Sequence, residues 1–161
     1  MARNLRDPQK VPLSPARMAT VSIATTTRGS MPRLPYERMA RAVLPRGYEL
    51  SLVICADTLA QRMNREHRKK TYPPNVLSFP ISKTEGEIFL NVRKAAREAR
   101  RYHVTLRDHL AHLFVHGCFH LKGLRHGRIM EAHERRILRR FGFSCNESIQ
   151  ASTSAHTTSK S

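Results

Sequence analysis

The sequence is short of cysteine, of long apolar segments and of acidic residues, and each shortage excludes a class of protein. The 3 cysteines are odd in number and widely spaced, which argues against a disulfide framework and against a zinc site built from thiolates. No apolar run approaches the roughly 20 residues that a membrane-spanning helix needs, and the N-terminus lacks the apolar segment of a secretion signal. The sequence therefore predicts a cytoplasmic protein.

The shortage of acidic residues leaves a large excess of positive charge. Lys and Arg total 29 against 12 Asp and Glu, which gives a formal net charge of +17. Such a surface can neutralise phosphates and release their counterions, so nucleic acid is the first candidate partner. An anionic membrane surface is the second candidate, and composition alone does not decide between them.

The length of 161 residues suits one domain with a substantial core. We predict a disordered basic leader over residues 1–17, a catalytic domain over 18–143 and a disordered tail over 144–161, where half of the residues are Ser or Thr. The leader has three possible interpretations. It is a targeting segment, an RNA-binding arm, or residues upstream of a true start at Met18.

Periodicity predicts alternating strands and helices in the first two thirds of the domain and helices after that. The predicted strands cover residues 20–25, 47–56, 75–79 and 86–91, and the predicted helices cover 32–44, 57–65, 92–102, 105–123 and 129–141. Asp57 and Thr105 are the expected caps of the second and fourth helices. The fold class that follows is α+β, with a small mixed sheet covered by helices.

Two histidines on the fourth predicted helix have the spacing of metal ligands. His116 and His120 are four residues apart, which on a helix is about 400° of rotation and roughly 6 Å of rise. Their side chains therefore project side by side. Cys118 lies about 200° around the helix from His116, and we expect it in the core.

A third histidine follows at position 126. If the helix continued, His126 would lie about 9 Å along the axis from His120 and away from the face that His116 and His120 share. Gly123 allows the chain to reverse first, because glycine readily adopts the left-handed conformation that ends helices. Three imidazoles with a fourth position open to water are the catalytic arrangement for Zn²⁺, so the predicted cofactor is one zinc ion in a metzincin-like helix site.

The remaining histidines receive no functional role from the sequence, and His109, His112 and His133 are interpreted as structural. The zinc-protease pattern requires a glutamate directly after the first histidine, as the general base. This chain has Gly117 there, which disfavours a metalloprotease. With the positive charge, it favours a phosphodiester substrate, on which zinc and a guanidinium can stabilise developing negative charge.

Two segments resemble the YbeY family of endoribonucleases and ribosomal RNA maturation factors. Residues 116–126, HGCFHLKGLRH, are similar to that family's HGxLHLxGxDH signature. Residues 64–80, NREHRKKTYPPNVLSFP, resemble its N-x-x-Y-R-x-K-x-x-P-T-[DN]-V-L-S-F-P motif. Weaker agreement covers Gly86–Ile88, Ala111–Leu113 and the helix M-x-x-x-E from Met130 to Glu134, so the resemblance extends over residues 20–143.

The resemblance implies a metal-dependent endoribonuclease that prefers single strands and acts in 16S-type 3′ end processing and ribosome quality control. It implies that His116, His120 and His126 are the metal ligands, and that Arg68 is the catalytic arginine that stabilises the transition state. The implied partners are ribosomal RNA and the small ribosomal subunit, with neither membrane nor DNA expected.

The chain departs from the family pattern at Arg125, where the family usually has aspartate before the third histidine. A cation there lowers metal affinity if it points inward, and we expect it to point outward. If the pocket were disrupted, the protein would be a non-catalytic, metal-stabilised RNA-binding ribosome assembly factor. This alternative stays open at the level of sequence.

Overall fold

A four-stranded mixed sheet organises residues 17–145, the part of the chain that the computed structural model describes. The predicted leader (except Arg17) and the predicted tail beyond Cys145 lie outside the described residues. The strands are β1 (Thr20–Thr25), β2 (Glu49–Cys55), β3 (Val76–Pro80) and β4 (Glu85–Asn91), and the helices are α1 (Tyr36–Val43), α2 (Asp57–Arg68), α3 (Val92–Arg101), α4 (Leu106–Leu121) and α5 (Arg128–Arg140).

The strands lie in the order β1-β2-β4-β3. β1, β2 and β4 run parallel, and β3 pairs antiparallel with β4 at one edge. The two faces of the sheet bury alternate residues, because successive side chains of a strand point to opposite sides. Leu52 and its register partner Ile88 face the main core, whereas Phe89 joins Leu77 and Ala60 of α2 in a smaller cluster. These observations confirm the predicted α+β class and the small mixed sheet.

α4 is the centre of the molecule, as its apolar sequence predicts. All residues from His109 to Phe119 are buried, which is the environment expected of a helix that is apolar around its whole circumference. The helix packs against β3, β4, α1, α3 and α5. These contacts hold the helix, and with it the backbone of its histidines, in place.

Two of the predicted helices differ from the structure by more than two residues at one end. α1 begins at Tyr36 rather than at residue 32, because Pro35 disfavours helical backbone at the residue before it. α2 continues to Arg68 and ends at Lys69, which has a left-handed φ of 55°. Asp57 is not the cap of α2: Ala56 holds that position, and the Asp57 carboxylate accepts hydrogen bonds from Asn91 and Arg97.

Candidate metal centre

The pair of histidines on α4 lies side by side, as the spacing predicts. The helix begins at a Thr105 cap, whose hydroxyl accepts a hydrogen bond from the backbone amide of Asp108 at 3.0 Å. This confirms Thr105 as the cap and starts the helix in the predicted register. Three turns later the Nε2 atoms of His116 and His120 are 3.0 Å apart.

A glycine turn brings the third histidine back to this pair. Gly123 has a φ of 95°, and its amide donates to the carbonyl of His120 while the amide of Leu124 donates to the carbonyl of Phe119. This pair of hydrogen bonds is the Schellman motif, in which a left-handed residue ends a helix. The ring of His126 then lies 4.7 Å from that of His116 and 4.3 Å from that of His120, between centroids.

The three imidazoles fit a divalent ion. Their ligand nitrogens all lie within 4.8 Å of one another, and a tetrahedral zinc ion separates its nitrogen ligands by about 3.3 Å. Nε2 of His126 is buried and has no hydrogen-bond partner among residues 17–145, which is costly unless an ion takes that place. Burial, together with His116 and His126, lowers the pKa of His120 to about 4, so this ring is neutral, as metal binding requires.

Glu134 on α5 fixes the orientation of His116. Its carboxylate lies 2.6 Å from Nδ1 of His116 and 3.2 Å from Nε2 of His112. Burial alone would raise the pKa of Glu134, but hydrogen bonds with His112 and His116 outweigh it and lower the pKa to about 2. Because a carboxylate only accepts, Nδ1 of His116 carries the proton and Nε2 keeps the lone pair that a metal needs.

The sequence did not predict that His112 and Glu134 contact each other behind His116. On sequence alone, His112 is interpreted as structural and Glu134 is only part of a similar helix. His112, His116 and Glu134 form a second group whose atoms could hold an ion. The one signal in the sequence is the final glutamate of M-x-x-x-E, which nothing in the local pattern assigns to a histidine 18 positions earlier.

Arg68 reaches the histidines from the C-terminal end of α2. Its side chain lines the same pocket as His116, His120 and His126, and its guanidinium carbon lies 5.9 Å from the centre of the Phe79 ring. Burial, His116 and the Arg68 cation all lower the pKa of His126. The structure thus brings the predicted arginine and the three predicted ligands together, while their roles stay predictions.

These side chains surround a pocket with a cavity volume of about 180 Å³. Lys94 of α3 lines it, and its ammonium nitrogen lies 5.8 Å from the centre of the Tyr72 ring. Asn64 also lines it and donates a hydrogen bond to the carbonyl of Tyr72 at 2.9 Å. The remaining lining residues are Tyr72, Pro74, Asn75, Val76, Leu77 and Ser78.

Gly117 faces the sheet rather than the pocket. A Cβ atom there would lie 2.9 Å from the Ser78 hydroxyl and 3.1 Å from the end of Ile88. The Ser78 hydroxyl also donates a hydrogen bond to the carbonyl of Gly117 at 3.1 Å. The position that holds the catalytic glutamate in zinc proteases is therefore a packing position in this chain.

Arg125 is exposed, as expected of a side chain that points away from the metal ligands.

None of the helices within residues 17–145 is long and apolar enough to cross a membrane.

The fold and the site together define an α+β protein with a three-histidine cluster, able to hold a metal, beside a basic pocket. The family model described as Endoribonuclease YbeY matches residues 23–142, so the chain belongs to the YbeY family. It is 36% identical over 130 residues to a protein named Endoribonuclease YbeY from Acidovorax sp. (strain JS42), covering 75% of this chain and 86% of the relative.

A second relative agrees with this assignment, and a solved structure agrees with the fold. Endoribonuclease YbeY from Bordetella pertussis is 41% identical over 108 residues, which cover 61% of this chain and 69% of the relative. The solution structure of TM1509 from Thermotoga maritima matches the fold with a TM-score of 0.55 at 17% identity, over 88% of this chain and 97% of that chain. That similarity supports the fold alone.

Proposed function

We propose that this chain is a zinc-dependent endoribonuclease that cleaves single-stranded ribosomal RNA. Its substrate is the 3′ end of the small-subunit RNA, in maturation and in ribosome quality control in the cytoplasm, and residues 18–143 are its catalytic domain. The observation that carries the proposal is the partnerless, buried Nε2 of His126 beside His116 and His120, with Arg68 on the same pocket. Membership of the YbeY family supports the RNA substrate.

The metal ligands in this proposal are His116, His120 and His126. Three nitrogen ligands that leave a position open are typical of catalytic zinc. A divalent ion bound there supplies a Lewis acid for phosphodiester hydrolysis.

The side chains of the protein orient the substrate and stabilise charge. The Arg68 guanidinium carries a fixed positive charge and can donate two parallel hydrogen bonds to a phosphate. Its place on the pocket suits it to stabilise the negative charge that develops on the phosphoryl oxygens. Lys94 is a second cation on the pocket and holds a neighbouring phosphate of the strand.

A cleavage assay on single-stranded ribosomal RNA tests the proposal. We expect the full chain to cut the RNA, and His116→Ala and Arg68→Ala each to abolish or strongly reduce the cut. The matched controls are His133→Ala and Arg62→Ala, because neither His133 nor Arg62 lines the pocket. Equal cleavage by all five proteins would show that a contaminating nuclease is responsible.

The competing hypothesis is a non-catalytic, metal-stabilised RNA-binding assembly factor. Its grounds in the sequence were the positive charge and Arg125, and Arg125 is exposed and does not line the pocket with the three histidines. Metal analysis of the purified protein tests the identity of the ion separately from the existence of the site. One zinc ion per chain supports zinc as the cofactor, and a different divalent ion would change the identity of the cofactor but keep the metal site.

A further inference from the structure

A second, partly buried carboxylate joins α3, α4 and the residue before β3 beside the pocket. Glu98 on α3 lies 2.8 Å from Nε2 of His109 on α4. It also accepts hydrogen bonds from the side-chain amide of Asn75, at 3.1 and 3.3 Å to its two oxygens. The side chain of His109 is 1% exposed and that of Glu98 is 16% exposed. Neither group is used in the proposed cleavage.

These contacts fix the orientation of the Asn75 amide. Burial alone would raise the pKa of Glu98, but hydrogen bonds with His109 and Asn75 hold it below its ordinary value, so the group is a charged acceptor. A carboxylate cannot donate, and the amide nitrogen of Asn75 must therefore be the atom that faces it. The carbonyl oxygen Oδ1 is then directed away from Glu98.

Hydrogen bonding also fixes the backbone at Asn75. The carbonyl of Asn75 accepts a hydrogen bond from the amide of Asn91 at 2.9 Å, and β3 begins at the next residue. Asn75 lines the pocket together with the three histidines and Arg68. No hydrogen bond to its Oδ1 occurs within residues 17–145, where its amide nitrogen donates only to Glu98.

An acceptor at this place complements the cations. Arg68 and Lys94 can only donate hydrogen bonds, and they suit the phosphates of any nucleic acid. An acceptor suits the donors that distinguish one nucleotide from another, which are the ribose 2′-hydroxyl and the N–H groups of the bases. A fixed carbonyl oxygen therefore adds selectivity to a pocket whose charges are indifferent to sugar and base.

We propose that Oδ1 of Asn75 accepts a hydrogen bond from the nucleotide bound beside the three histidines, and that Glu98 and His109 are positioning residues that aim it. This inference rests on the proposed RNA substrate. Its test measures binding instead of cleavage, so that the two can fail separately.

The experiment uses the full-length, metal-loaded protein and fluorescence anisotropy with short single-stranded oligonucleotides, and every protein carries Arg68→Ala so that the RNA probes are not cut during the measurement. The probes are homopolymers of each base, each made as RNA and as the matching 2′-deoxy strand. The variants are Asn75→Ala, which removes the acceptor, and Glu98→Gln, which frees the amide to rotate. Glu66→Gln, at an exposed glutamate of α2, is the control for the lost charge.

We expect Asn75→Ala to weaken binding about tenfold, as the loss of one well-aligned hydrogen bond implies, and to do so for selected probes only. A loss confined to RNA identifies the 2′-hydroxyl as the donor, and a loss confined to one base in both RNA and DNA identifies a base N–H. We expect Glu98→Gln to lose the same selectivity in part, while Glu66→Gln keeps it.

An equal change for all probes, or no change for any, would overturn the inference. If Asn75→Ala fails to fold, Glu98→Gln decides alone: selectivity equal to that of Glu66→Gln would refute the positioning role. Cleavage of the ribosomal RNA is measured separately. If the variants change binding selectively but the protein does not cut RNA, the inference stands and the proposed enzyme activity is refuted. If the protein cuts RNA but the variants leave its selectivity unchanged, the enzyme activity stands and the inference is refuted.

Discussion

The pocket has two walls that are built in different ways. The buried wall is formed by His116, with His112 and Glu134 behind it, and these three side chains are 3–7% exposed and joined by hydrogen bonds. The open wall, Arg68 and Lys94, consists of cations beside aromatic rings, and Arg68 is exposed. In the proposed function the two walls have different tasks: one wall fixes an ion by geometry, and the other attracts a polyanion by charge.

The physical basis of this division is the dielectric environment. Interactions among buried groups are strong and barely screened by salt, whereas those of exposed charges weaken as the ionic strength rises. Metal binding and RNA binding should therefore respond separately to mutation. The following four substitutions test that separation.

The largest effect is expected from His116→Ala on the buried wall. Two remaining imidazoles make a poor site, so we expect the protein to lose its metal and its cleavage activity together. The loss of a hydrogen bond to the charged, buried Glu134 should also lower the free energy of unfolding by about 1.5–3 kcal/mol. Metal analysis and denaturant unfolding measure the two effects, and full metal occupancy in the variant would refute the assignment of His116.

Arg68→Ala on the open wall should leave the metal in place and slow cleavage. Removing one donor to a developing negative charge typically costs about 10²- to 10³-fold in kcat, and we expect a loss of that size. Loss of the metal along with the activity would mean that the two walls are not independent. Arg62→Ala on the same helix controls for the change in net charge.

Glu134→Gln probes the contact behind the metal ligands. A neutral amide is a weaker partner for Nδ1 of His116, and changes to such groups typically reduce metal affinity about 10- to 100-fold. Competition with a chelator of known affinity measures the change. An affinity equal to that of the unmodified protein would show that His116 is oriented by helix packing alone.

The smallest effect is expected from Arg125→Asp. Water and salt screen an exposed charge, so metal affinity should change by less than about twofold. Tighter metal binding in the variant would indicate that the arginine reaches the site. Weaker binding would indicate a positive role for it, such as gripping an RNA phosphate.

The sequence predicts those structural features whose geometry depends on residues close together in the chain. β1 has the predicted bounds, and the Thr105 cap and the Gly123 reversal act within one turn of their own helix, where spacing and residue type determine the geometry. These local signals were sufficient to predict that the chain brings His126 back to His116 and His120.

The contacts that were missed join distant segments. Asp57 was expected to cap its helix, but its carboxylate instead binds Arg97, 40 positions away. His109 and His112 were assigned no role because their partners, Glu98 and Glu134, come from α3 and α5. Periodicity shows which face of a helix is buried, and it does not show which side chain of another helix lies opposite.

The close approach at Gly117 limits the routes by which this scaffold could evolve. A glutamate there would place its Cβ against Ser78 and Ile88 and would bury a charge between helix and sheet, which is strongly unfavourable without a partner. A glutamate at position 117 therefore does not by itself supply the general base of a zinc protease. The Ser78 and Ile88 side chains would also have to shift to open space between the helix and the sheet.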